Sequence, residues 1–329
     1  MILAGDIGGT KSRLALFDDA NAPPRFEQRY ASADYPALEP LIERFLAEAR
    51  AALGAPPAAQ AACFGIAGPI EGQRVQVTNL PWTVDAEAIA RGFDVPRVRL
   101  VNDFAAAAYG LEGLRADALA TLQPGEPRAG APRVVLGAGT GLGIAYVLRD
   151  AAGERPLAGE GGHTGFAPRS ATELALWQYL HARVGRVTLE HVLSGAGLMR
   201  IYDFQLQRGL HAESQSLRAE LAESDAPAAI TRYALERGEA LALAALDLFI
   251  ACYGAAAGDH ALNVMARGGV YVAGGIAPKI LPRLAAGGFV TAFNDKAGFA
   301  DAARRMPLHV VLDERLPLRG AARAALARD

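Results

Sequence analysis

Cysteine is nearly absent: Cys63 and Cys252 are the only two in 329 residues. They are too few and too far apart for a cysteine-built metal cluster or a disulfide framework, which fits a reducing compartment. Lysine is also scarce, with Lys11, Lys279 and Lys296 set against thirty arginines. The formal net charge is only −2, so no excess of positive charge argues for nucleic acid or an anionic membrane. Met1 leads straight into an apolar strand with neither a basic segment nor a small-residue cleavage site, so no signal peptide is expected. One long apolar run exists, ALALAALDLFIACYGAAAG at 240–258, but it is Ala-rich and carries Asp247 near its middle. A core helix is expected there.

What is present is a soluble composition, 51% hydrophobic and 21% charged, long enough for two domains. The opening GDIGGTKS, residues 5–12, comes within one residue of a P-loop. It has Thr10 where that loop needs Gly, and an apolar run follows where the loop needs a helix. Apolar runs at 2–4 and 13–18 joined through Gly8-Gly9 predict a β-hairpin. A strand at 25–30, a helix at 35–53 and strands at 61–67, 75–78 and 97–101 follow. The second half repeats the opening: a strand at 133–136, the glycine turn GAGTGLG and a returning strand at 144–148. A third cluster, GGVYVAGGIAP, places a strand before Gly274-Gly275 and a helix over 279–284. Two similar hairpins far apart predict a duplicated α/β architecture with nucleotide held between the copies.

GAGTGLG fails the dinucleotide pattern G-x-G-x-x-G in both registers. Any one glycine turn is explained by tight backbone geometry alone. Three, each after an apolar strand, point to phosphate, since unobstructed N–H groups form an anion-binding concavity to which Thr10 and Thr140 add hydroxyls. Asp6 either initiates the turn or stands on the metal side of a bound phosphate. Asp103, in Asn102-Asp103-Phe104 at the end of a strand, either caps the following helix or acts as general base for an alcohol. Glu160 and His163 have metal-site spacing, but Gly161-Gly162 disfavours the helix such sites need, so hydrogen bonds to a polyhydroxylated ligand fit better. Glu190 alone reads as a solvated helix residue.

Taken in order, GDIGGTKSRLAL, NLPW, VNDFAAAAYG, GAGTGLGIAYV, GEGGHTGFAP, EHVLSGAGL and GGVYVAGGIAPKIL resemble the bacterial glucokinases of the hexokinase, Hsp70 and actin superfamily. The resemblance implies a two-lobed, ribonuclease H-like (actin-like ATPase) duplicated fold with the active site in the inter-domain cleft. Residues 1–113 and 312–329 would form a small domain and residues 114–311 a large one. It further implies transfer of the γ-phosphoryl of MgATP to the 6-hydroxyl of glucose. Asn102, Asp103, Glu160, His163 and Glu190 then hold the sugar, with Asp103 the base. Gly8, Gly9, Thr10, Gly139, Thr140, Gly274 and Gly275 hold ATP, and Asp6 holds Mg²⁺ through water. A cytoplasmic homodimer is also implied. Lys11 is closer to the related ROK sugar kinases, but the cysteines of their zinc motif are absent between Cys63 and Cys252, so no zinc is expected. LPLRGAA at 316–322 departs from the more apolar stretch usual in the family, which bears on how the last helix packs. A kinase for another hexose, or a sugar-binding regulator, is the alternative. A regulator would need a DNA-binding appendage, and the phosphate motif begins at Gly5.

Overall fold

The computed structural model describes residues 1–151 and 153–327. The chain divides into two compact units, one of Met1–Ala116, Pro156–Ala158 and Asp313–Asp329 and the other of Asp117–Arg155 and Gly159–Leu312.

In the first unit, β1 (Ile2–Ile7) turns back antiparallel into β2 (Lys11–Phe17), which pairs with β3 (Phe26–Ala31). On its other edge β1 runs parallel to β4 (Ala61–Ile66), and β4 to β7 (Val98–Asn102), giving the order β3-β2-β1-β4-β7. A small ribbon of β5 (Arg74–Gln76) and β6 (Thr83–Asp85) lies apart. β1 is apolar at successive positions because both sheet faces are covered. Leu3 and Ile7 join a core with α1 (Leu38–Leu53) and α2 (Ala86–Phe93), while Ile2 and Ala4 join another with α3 (Asp103–Gly110) and the last helix. α1 begins at Leu38, later than the expected 35, because Tyr35 precedes Pro36 and is held extended. β5 stops at Gln76, short of the expected 78, since Asn79 takes a left-handed conformation (φ 65°) that no ladder accommodates.

In the second unit, β8 (Leu119–Gln123) is the edge of a sheet ordered β11-β10-β9-β12-β13-β8. β9 (Arg133–Ala138) and β10 (Leu142–Asp150) form an antiparallel hairpin, and β11 (Gly153–Gly159) lies beyond β10. β12 (Gly269–Ala273) runs parallel to β9, and β13 (Leu308–Val311) parallel to β12. The order, and the directions of β10, β9, β12 and β13, repeat the first sheet, with β8 added antiparallel at the edge. The core is built by α4 (Ala171–Val184), α5 (Leu189–Val192), α6 (Gly195–Arg208), α7 (Gln215–Glu223), α8 (Ala226–Arg237) and α9 (Ala240–Val264). α9 is long and apolar enough to cross a membrane, yet it is the central helix of this core, with 67% of its most apolar stretch buried. Asp247 is answered by Arg283, whose two nitrogens each lie 2.6 Å from a carboxylate oxygen. The helix expected over 279–284 is instead a 3₁₀ turn, Ala277–Ile280, leading into α10 (Leu281–Ala285), because Pro278 and Pro282 lack the amide a longer helix requires. α11 (Gly288–Asn294) packs on α9, and α12 (Ala300–Arg304) precedes β13.

The last helix, α13 (Leu316–Ala324), packs on α3 within the first unit. A Cβ on Gly320 would stand 1.7 Å from the carbonyl oxygen of Ala106, so the missing side chain is what lets the helices meet.

Candidate active site

In the first unit, the carboxyl ends of two parallel strands, β1 and β7, carry the candidate residues. β1 ends at the Gly8–Thr10 turn, with the Gly8 N–H donating to Lys11 O at 3.1 Å. Asp6, on β1, pairs in register with Gly65 of β4, and a Cβ on Gly65 would lie only 3.7 Å from the Cα of Asp103. The two carboxylates therefore feel one another. Burial, then repulsion from Asp103, pushes the Asp6 carboxyl up to about 7, with Arg29 pulling it back. β7 ends at Asn102, the N-cap of α3, whose Oδ1 accepts from the N–H of Phe104 at 2.9 Å and of Ala105 at 3.2 Å. Capping thus belongs to Asn102. Asp103 Oδ1 shares the Phe104 N–H with it, at 2.9 Å, and Asp103 starts the helix as an acid in its first turn. The amide nitrogen of Asn102 is the group the cap leaves for a ligand.

In the second unit, the Gly139–Gly141 turn repeats the first, with the Gly139 N–H donating to Gly141 O at 2.8 Å. It is held by two elements distant from it in sequence. The buried Tyr253 hydroxyl accepts the Ala138 N–H at 3.0 Å, and the Gly195 N–H at the start of α6 donates to Gly139 O at 2.9 Å. Gly274 closes in beside it in a left-handed conformation (φ 82°), where a Cβ would meet Ala138 O at 2.7 Å. Gly139, Thr140 and Gly274 are thus neighbours at the ends of β9 and β12, with Gly275 next in sequence.

The remaining candidates stand around the start of β10. Glu190, in α5, is no solvated helix residue: its Oε2 accepts the Leu142 N–H at 2.9 Å. Glu160 and His163 flank a single 3₁₀ turn, their side chains 3.9 Å apart and each 62% exposed, so their polar atoms are available to a ligand. The turn is pinned by Thr164 Oγ1 donating to Gly161 O at 2.7 Å and by the Leu189 N–H donating to Thr164 O at 2.9 Å, which ties it to α5. Beneath Gly161 lies a pair not anticipated from sequence: buried His260 with its Nδ1 2.7 Å from the Tyr146 hydroxyl. Burial lowers the His260 pKa, which keeps the ring neutral. Among the described residues no group of three or more His, Cys, Asp or Glu side chains is arranged to hold a metal.

Two glycine hairpins, acids at strand ends and an exposed Glu/His pair can hold phosphates and polarise hydroxyl groups. The sequence profile of the family described as Glucokinase matches residues 3–328. The chain belongs to the glucokinase family. It is accordingly a sugar kinase, a transferase. A curated glucokinase from Nostoc sp. is 39% identical over 341 residues, covering 99% of this chain and 98% of that protein. The crystal structure of a glucokinase from an Antarctic psychrotroph matches with a TM-score of 0.82 at 30% identity, covering 99% of this chain and 98% of that one. A ROK family glucokinase from Streptomyces griseus, solved with glucose and AMPPNP, matches with a TM-score of 0.67 at 20% identity over 99% of both chains, which is a likeness of fold. These likenesses and the repeated sheet order make this the actin-like ATPase fold.

Proposed function

We propose that the chain transfers the γ-phosphoryl group of ATP to the 6-hydroxyl of glucose. The observation that carries this is the glucokinase family match from residue 3 to 328, joined to a first unit in which Asn102 takes the helix cap and so removes capping as the reason for Asp103. Asp103 orients the 6-hydroxyl and takes its proton as the O–P bond forms. Phosphoryl transfer asks for positioning and charge neutralisation more than covalent chemistry, so the rest of the site binds. Asn102, Glu160, His163 and Glu190 hold the sugar hydroxyls. Gly8, Gly9, Thr10, Gly139, Thr140, Gly274 and Gly275 line the nucleotide site, with the N–H groups that the turns leave unspent, such as those of Gly9 and Thr10, facing its phosphates.

Mg²⁺ fits beside Asp6. A carboxyl raised to about 7 by burial and by Asp103 gains from a neighbouring cation, and the lack of a larger ligand cluster among the described residues suits an ion held mainly by phosphate and water. When bound there, the ion supplies neutralisation of phosphate charge. Residues 1–113 with 312–329 are taken as the small domain and 114–311 as the large one. A cytoplasmic homodimer without nucleic-acid or membrane partners completes the reading.

The test is ATP consumption over a panel of sugars. Turnover with glucose well above mannose and fructose supports the reading. Preference for another hexose reassigns the substrate, and sugar binding without turnover makes the chain a sugar-binding regulator.

A further inference from the structure

Ser32 belongs to none of the groups named above, yet its polar atoms converge on the first glycine turn. It opens a 3₁₀ turn directly after β3 and is completely buried, as is Ser12. Its Oγ donates to the carbonyl oxygen of Gly8 at 2.7 Å, and its backbone N–H donates to the carbonyl oxygen of Thr10 at 3.1 Å. Ser32 Oγ also lies 2.9 Å from Ser12 Oγ. A hydroxyl has one proton, and that of Ser32 is given to Gly8, so Ser12 is the donor and Ser32 the acceptor between them.

In a trans peptide the C=O and the following N–H point in opposite directions. No cis bond occurs among the described residues, so fixing the Gly8 carbonyl toward Ser32 aims the Gly9 N–H away from it. Gly9 and Thr10 have no protein acceptor for their N–H groups among the described residues, while the carbonyls on either side of them are both taken by Ser32. A turn that keeps the Gly9 and Thr10 N–H groups unspent, while the carbonyls of Gly8 and Thr10 are engaged from behind, favours an anion. The sequence suits this: Gly8 and Gly9 would otherwise sample many peptide orientations.

We propose that Ser32 is a positioning residue for phosphate, holding the Gly8–Gly9 peptide in the orientation that presents the Gly9 N–H to the nucleotide. This rests on the reading of that turn as a phosphate site. Ser32 touches no substrate; it acts through the peptide it holds.

The experiment compares three full-length variants in MgATP-dependent glucose phosphorylation, with direct titration of a fluorescent ATP analogue as a second readout. Ser32→Ala removes the bond to Gly8 and should raise the ATP KM and the analogue Kd about tenfold, the worth of one aimed hydrogen bond to an anion, with the glucose KM within about twofold of wild type. Ser32→Cys keeps the volume with a weaker donor and should fall between, which also covers the case in which the alanine variant does not fold. Ser12→Ala removes a buried hydrogen bond of the same kind without touching the turn, and should lower the denaturation midpoint while leaving the ATP KM unchanged. If Ser12→Ala and Ser32→Ala lose stability alike and neither moves the ATP KM, Ser32 is structural only and the inference is overturned. An equal rise in the glucose and ATP KM values overturns it too. Wild-type protein that binds no ATP analogue defeats the phosphate reading itself, and the inference with it.

Discussion

Glu190 Oε2 accepts the backbone N–H of Leu142 at 2.9 Å, joining a four-residue helix to the strand that leaves the second glycine turn. One carboxylate oxygen is thereby engaged by the protein, which fixes the direction of the other, the one proposed to meet a sugar hydroxyl. Gly141 makes room for this, since a Cβ there would stand 2.4 Å from the same oxygen. Glu190→Gln can still accept from Leu142 but weakens its grip on a hydroxyl donor, and should raise the glucose KM by about one to two powers of ten with little effect on ATP. Gly141→Ala should do the same indirectly by displacing Glu190. Steady-state kinetics with each substrate varied in turn distinguishes this from a nucleotide defect, which would move the ATP KM instead.

Asp103→Asn should lower kcat by about two to four powers of ten, the usual worth of a placed general base. Because Asn102 carries the cap, the same variant should leave the denaturation midpoint near that of wild type. Asn102→Ala should behave in the opposite sense for stability, losing about 1 kcal/mol with the cap. Urea denaturation beside single-turnover kinetics reads both. A large stability loss in Asp103→Asn with kcat preserved would return Asp103 to a structural role.

How much of this could be read from the chain follows the range of the interactions involved. Both hairpins were legible, because each is a local pattern of apolar runs about a glycine turn. The parallel pairings of β1 with β4 and of β9 with β12 made the sheets repeat one another, which the likeness of GDIGGT and GAGTGLG only suggested. What stayed hidden were contacts between residues far apart in sequence: Ser32 with Gly8, Glu190 with Leu142, His260 with Tyr146 and Tyr253 with Ala138. None has a local signature. Glu190 looked solvated because nothing around it in sequence reveals that Leu142 lies within reach. From the sequence the candidate cap was Asp103, yet Asn caps as well as Asp, and only the geometry shows Asn102 in that position.

Gly320→Ala should be among the most costly single changes in the first unit. The added methyl would stand 1.7 Å from Ala106 O, so α13 must move off α3, the helix that begins with Asp103. A loss of about 2–3 kcal/mol or more is expected, together with a fall in kcat. Denaturant unfolding checks it, and an unchanged midpoint would contradict the close packing of the two helices.

Stability should depend on pH through His260. Its folded pKa lies below the ordinary 6.5 because the ring is buried, so between the two values the unfolded chain binds more protons and stability falls as the solution is acidified. His191 and His309 are lowered in the same sense, whereas Asp6, raised to about 7, acts oppositely, so the difference between variant and wild type isolates the term. His260→Gln should narrow its stability gap to wild type as pH falls from about 7.5 to 5.5. A gap that stays constant across thermal melts in that range would mean that His260 titrates normally.

The most direct test of the account is the product formed by the purified chain from glucose and MgATP, followed by ³¹P NMR. Stoichiometric ADP and glucose 6-phosphate, both abolished to near background in Asp103→Asn, is the predicted result. Glucose binding without any phosphomonoester, or a product phosphorylated at another position, would contradict it.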